Sequence, residues 1–198
     1  MATNVQVFDE VASVYDEVLP FFAELGRQVV EVVDPSAGIR LLDLGAGRGA
    51  VTGPALARGA QVTAIDAAQG MVARLAADYP EAHVLQMDAN HLAFPETSFV
   101  VVAAFVVHLV DNAALVVAEV LRVLAPGGLV AIAIPGGEPQ TELAEPDPVP
   151  GLYGEFAQYL PPDGSMGMEL DVADLLTRAG FVDVTTTSIE VCLEVPDA

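Results

Sequence analysis

The residues with the clearest chemical meaning lie in one short stretch. There the apolar run Ile39–Leu44, which carries Asp43, breaks into the alternate glycines Gly45, Gly47 and Gly49. Without Cβ atoms the chain can take φ > 0 turns and a ligand can come against the main chain. Free amides at the start of a following helix attract polar or anionic groups. A nucleotide-like cofactor fits such a place. A second β-rich run, Gln61–Asp66, ends in a carboxylate, which can accept from both hydroxyls of a ribose at once. Each acid also has a purely structural role open to it: Asp43 as a buried carboxylate holding the glycine turn, Asp66 as the N-cap of the next helix.

These residues need strands to carry them, and the pattern supplies strands. Apolar runs at about 39–44, 61–65, 83–87, 99–105 and 128–134 alternate with helix-compatible segments near 49–58, 67–77 and 111–124. Alternation of this kind gives parallel strands with helices on both faces, hence an α/β three-layer sandwich around a mostly parallel, doubly wound sheet. Ligands then collect at the carboxyl ends of the strands, where Gly45, Asp66, Asp88 and Phe105 would share one edge. A helix near 169–178, stopped by Gly180, leads into the β-rich Phe181–Leu193, expected to be a sixth strand.

The glycine stretch alone leaves two cofactors open. Gly45-x-Gly47-x-x-Ala50 with Asp66 further on also satisfies a dinucleotide fingerprint. Asp43 before the first glycine, Met87-Asp88-Ala89 closing the third strand and Ala125-Pro126-Gly127-Gly128 before the fifth decide otherwise. Together, in this order, they resemble the class I S-adenosylmethionine-dependent methyltransferases, and the resemblance runs from Phe8 to about Val195. A hydride-transferring enzyme with a Tyr-x-x-x-Lys pair is disfavoured, since the chain has no lysine.

The resemblance implies S-adenosyl-L-methionine as cofactor and methyl transfer to O, N or C of a small molecule. It puts Asp43 near the methionine ammonium, Gly45, Ala46 and Gly47 against the methionine part, and Asp66 with Ala67 at the ribose. It also packs Met71 on adenine, sets Asp88 with Ala89 at the adenine edge, and places Phe105 beside the methionine part. Phe8-Asp9-Glu10-Val11-Ala12-Ser13-Val14-Tyr15-Asp16 resembles the family's opening helix, which folds over the cofactor and brings Tyr15 to it; the same residues also read as an ordinary amphipathic helix with Val11, Val14, Tyr15 and Val18 on its apolar side. His108 stands just beyond the fourth strand, where relatives often carry histidine, and suits a base taking a proton from a hydroxyl or amine. Packing in its loop is the competing role. The alternative to an active enzyme is a cofactor-binding but silent partner or fragment. The family's seventh strand has no residues left for it here, so the sheet edge would be open to a second copy of the chain.

Composition sets the outer limits. One domain over 1–198 is expected, with an N-terminal helical cap at about 5–34 and a lid-like insertion at about 135–165 that holds Leu152, Tyr153, Phe156 and Tyr159. All seven basic residues are arginines against 28 carboxylates, a formal charge of −21, so nucleic acid and anionic membranes would be repelled. No apolar run is long enough to span a bilayer, no leader is visible, and Cys192 has no partner for an intrachain disulfide; a cytoplasmic protein is expected. No Cys/His cluster has metal-ligand spacing, so no metal site is expected.

Overall fold

A computed structural model describes residues 3–18, 21–134 and 170–191. Five parallel strands, β1 (Arg40–Leu44), β2 (Gln61–Asp66), β3 (His83–Gln86), β4 (Val100–Ala104) and β5 (Val130–Ala133), form one sheet in the order β3-β2-β1-β4-β5. The chain winds outward from β1 through β2 to β3, then returns to lay β4 on the other side of β1. That reversal opens a crevice above the carboxyl ends of β1 and β4. In central β1 every residue after Arg40 is buried, as a strand covered on both faces requires.

Helices α3 (Phe22–Val33), α4 (Thr52–Ala57) and α5 (Gln69–Asp78) follow the N-terminal pieces, and α6 (Ala113–Val123) and α7 (Val172–Ala179) come after β4 and β5. Side-chain alternation along the strands splits the core in two. Leu42, Leu44 and Ile65 pack with Val116, Val117, Val120 and Leu176 of α6 and α7, while Leu41, Val62 and Ala64 pack with Val29, Val30, Val33 and Ala55 of α3 and α4. The sheet thus has helices on both faces, as expected. Strand and helix bounds fall within a few residues of those read from the sequence. Among the described residues no helix is long and apolar enough to cross a membrane.

Two expectations change. The opening segment is not one helix: α1 (Asn4–Val11), fixed by a Thr3/Gln6 capping box, ends in a turn at 12–14, and α2 (Tyr15–Val18) starts afresh. The break lets Val11 and Ala12 bury against Ala68 and Met71, while the Tyr15 ring turns to stack on Phe22 at 5.6 Å. The β-rich tail is also no strand. Asp183 takes φ 55°, Thr185–Ser188 are exposed, and 181–191 pairs with no strand of the sheet. A β-favouring composition needs an accepting edge and an unbroken extended backbone, and Asp183 interrupts the latter. Among the described residues β5 is therefore one edge of the sheet and β3 the other. The lid expected at about 135–165 lies outside the described residues.

Helix α3 reaches the glycine turn so closely that a Cβ on Gly26 would sit 2.1 Å from the Ala50 carbonyl oxygen. Gly26→Ala should therefore cost about 1–3 kcal/mol of unfolding free energy, read as a lower urea midpoint by circular dichroism. An unchanged midpoint would mean that α3 can lift off Ala50 freely.

Candidate active site

The turn after β1 is built on the end of β2. Gly45 and Gly47 have φ of 69° and 52°, a region most side chains avoid. A Cβ on Gly45 would run into Val106, whereas one on Gly47 would meet nothing within 4 Å. Gly47 therefore lines free space at the crevice. The Ala46 amide donates to the Ile65 carbonyl at 2.9 Å, and the Gly47 amide donates to Asp66 Oδ2 at 2.9 Å. The amides of Ala46 and Gly47, expected to face a ligand, are thus spent on fixing the turn.

Asp66 holds two elements at once. Its Oδ1 accepts from the Ala68 amide at 2.8 Å, opening α5, while Oδ2 takes Gly47. Burial pushes its pKa up, and the amides of Ala68, Gly47 and Ala67 oppose that shift. Each oxygen keeps lone-pair capacity beyond its one amide. Asp66 is thus not the N-cap of α5, a position held by Ala68; it accepts from that residue's amide instead, and its spare lone pairs suit ribose hydroxyls.

Asp43 is not at the surface of the crevice. It is 1% exposed, and its Oδ2 accepts from the Thr52 hydroxyl at 2.6 Å, tying β1 to the start of α4 behind the turn. This geometry favours the structural role over direct contact with an ammonium. Burial raises its pKa to about 7, with the Thr52 hydrogen bond opposing and the Asp66 charge adding to the rise. Thr52, itself fully buried, was not singled out from sequence, where only its place at the start of the helix after the glycines marked it.

The remaining expected residues gather along the same edge. Asp88 Oδ1 accepts from the backbone and side chain of Asn90, both at 2.8 Å, in a turn next to buried Ala89. Arg122 of α6 holds that loop by donating to the carbonyls of Leu92 and Phe94 at 2.7 Å. Ala67 is half-buried beside Asp66, while Met71 is 1% exposed and packs under the cap with Val11, Ala12 and Ala68. Tyr15 is half-buried over the crevice; burial, then the nearby Asp66 and Asp16 carboxylates, push the pKa of its phenol up.

Phe105 directly follows β4, with its amide still bonded to the Ala133 carbonyl at 2.8 Å, yet it takes φ 55°. For a bulky residue this left-handed turn costs about 1–2 kcal/mol. It sets the ring edge-on to Phe22 at 5.3 Å and 6.2 Å from the His108 ring. Phe8, Tyr15 and Phe22 continue the aromatic array across the cap. His108 is 8% exposed, and its Nδ1 is buried with no hydrogen-bond partner among the described residues. Loss of solvent lowers its pKa, so the neutral, proton-accepting imidazole prevails near neutral pH.

Asp66 and Asp88, the turn open at Gly47 and the neutral His108 lie along one edge of an α/β sheet, where they offer acceptors and free space. Residues 42–132 match the family model described as a methyltransferase domain. The chain is 34% identical to nocamycin O-methyltransferase of Saccharothrix syringae over 97% of this chain and 77% of the relative. It is also 34% identical to an aklanonic acid methyltransferase of Streptomyces sp. (strain C5), over 66% of this chain and 64% of that one. A solved structure of Haemonchus contortus phosphoethanolamine N-methyltransferase 2 in complex with S-adenosyl-L-methionine shares the fold, with a TM-score of 0.61 at 20% identity over 81% of this chain and 37% of that one. The chain belongs to the class I S-adenosylmethionine-dependent methyltransferases, and its cofactor is S-adenosyl-L-methionine.

The buried Asp43 generates a pH signature. Its folded pKa lies above the ordinary 3.8, so the folded state holds a proton that the unfolded chain gives up, and stability falls as pH rises from about 3.8 to about 7, then levels. Against Asp43→Asn, the unaltered chain should lose up to about 1.4 kcal/mol per pH unit across that window in urea unfolding. A difference between the two that is flat with pH would place an ionised Asp43 in the interior.

Proposed function

We propose that this enzyme methylates an oxygen of a small, apolar or uncharged acceptor, with His108 as the base. The observation that carries the reading is the buried His108 imidazole beyond β4, whose Nδ1 has no protein partner among the described residues. An unpaired buried nitrogen is costly, and a hydroxyl nucleophile admitted by a shift of the residues that cover it would satisfy it. The O-methyltransferase relative, matched along nearly the whole chain, supports oxygen as the methylated atom.

S-adenosylmethionine supplies a methyl group already activated on a sulfonium, so the protein has to position, exclude water and take a proton. In this reading Gly45, Ala46 and Gly47 border the methionine part beside Phe105. Asp66, with Ala67 next to it, accepts from the ribose hydroxyls through its free lone pairs. Asp88 and Ala89 meet the adenine edge, with Met71 below, and Tyr15 closes the top. Asp43 acts at one remove, through Thr52 and the turn. The open space at Gly47 supports the fit, because any Cβ there would occupy the place the ligand needs. The same reading makes the protein a single-domain enzyme of the cytoplasm, and its charge of −21 keeps polyanionic substrates away.

Asp66→Ala should weaken S-adenosylhomocysteine binding by about 1–3 kcal/mol in calorimetry; undiminished affinity would remove Asp66 from the ribose. In an assay with labelled S-adenosylmethionine and a panel of hydroxylated acceptors, His108→Gln should keep cofactor affinity and lose about 100-fold or more in kcat. The unaltered enzyme should also show an acid limb with an apparent pKa below the ordinary 6.5, since burial lowers the His108 pKa. Full turnover by the variant would strip His108 of the base role.

A further inference from the structure

We propose that Arg48 is the positioning residue that seats the N-terminal cap on the glycine turn and thereby sets how long bound cofactor is held. Arg48 follows Gly47 and is the one basic residue in the turn 45–50. Its side chain is 18% exposed; Nε lies 3.0 Å from Asp16 Oδ2 in α2, and Nη2 lies 2.9 Å from Asp78 Oδ2 at the end of α5. Nη1 is buried with no hydrogen-bond partner among the described residues. One guanidinium thus joins the turn, the cap and α5.

The need for it is electrostatic. The seated cap brings Asp9 and Asp16 over a crevice that holds the half-buried Asp66, with the buried Asp43 behind the turn, and the charges of Asp9 and Asp66 are felt across that gap. Like charges at such separations repel in a low-dielectric site, and Arg48 offsets the charge of Asp16 by a direct ion pair. Asp16 directly follows Tyr15, so fixing Asp16 also fixes the aromatic ring placed over Asp66. Two further hydrogen bonds complete the seat: the Gly70 amide donates to Asp9 Oδ1 and Asn4 Nδ2 donates to the Leu109 carbonyl, each at 2.6 Å. They anchor the cap next to Met71 and next to His108, while Arg48 anchors it at the glycine turn.

The inference rests on the cofactor lying at this edge and is independent of acceptor or base, because its test contains no acceptor. The release rate of S-adenosylhomocysteine is measured by stopped-flow displacement from the full chain, and cap amides are followed by hydrogen exchange. Arg48→Met and Asp16→Asn should each speed release about tenfold, equivalent to about 1.4 kcal/mol, and raise exchange at residues 4–18. The double variant should release no faster than Arg48→Met, and Arg48→Lys should recover part of the loss. Asp78→Asn should leave release unchanged, since it cuts only the tie to α5. Asp16 is 60% exposed, so its substitution leaves the fold intact. Unaltered release in Arg48→Met and Asp16→Asn, or fully additive effects in the double variant, would overturn the proposal.

Discussion

The Asp66 carboxylate is the constraint on which the site depends. One oxygen accepts the Gly47 amide and the other the Ala68 amide, so the turn leaving β1 and the helix leaving β2 are set by a single side chain. A glycine-rich turn is otherwise entropically expensive to hold in one shape, and two charge-assisted bonds from a buried acceptor offset that cost. The arrangement is paid for in ionisation: burial raises the Asp66 pKa, and the Asp66 charge adds to the rise in Asp43. Further hydrogen-bond donors brought by a ligand would relieve this strain, which links cofactor binding to the rigidity of the edge.

The second organising force is the management of negative charge. A chain with a net charge of −21 gathers Asp9, Asp16, Asp43 and Asp66 around one crevice. Each is met by a different device: an amide for Asp9, a guanidinium for Asp16, a hydroxyl for Asp43 and amides for Asp66. Only the Arg48 contact is an ion pair. A site so provided with acceptors suits a ligand carrying ammonium, sulfonium and ribose hydroxyls.

The third is the aromatic array that runs from the cap to β4. Phe105 gives up favourable backbone geometry so that its ring lies between Phe22 and His108. The gain is an apolar boundary beside His108, whose burial lowers its pKa and keeps the imidazole neutral.

By itself the sequence determined the alternating parallel strands, the helices between them and the carboxyl edge, because these follow from local hydrophobic period and from glycine and acid punctuation. The placing of Asp66 beside the glycine turn was legible for the same reason, as strand ends in a parallel sheet necessarily share a rim. Tertiary structure alone decided the rest. The segment Phe181–Val191 looked like a strand, yet a strand exists only where an edge receives it, and the turn at Asp183 denies that. The break between α1 and α2 is set by what the cap packs on, Ala68 and Met71, far away in the chain. Asp43 reads equally as a ligand acceptor and as a buried structural acid, and only folding brings Thr52 to its carboxylate. Arg48 and Asp16, 32 residues apart, carry no sequence mark of their pairing. Local patterns fix what a segment can be, whereas partners brought together by folding fix which of its groups remain free for chemistry.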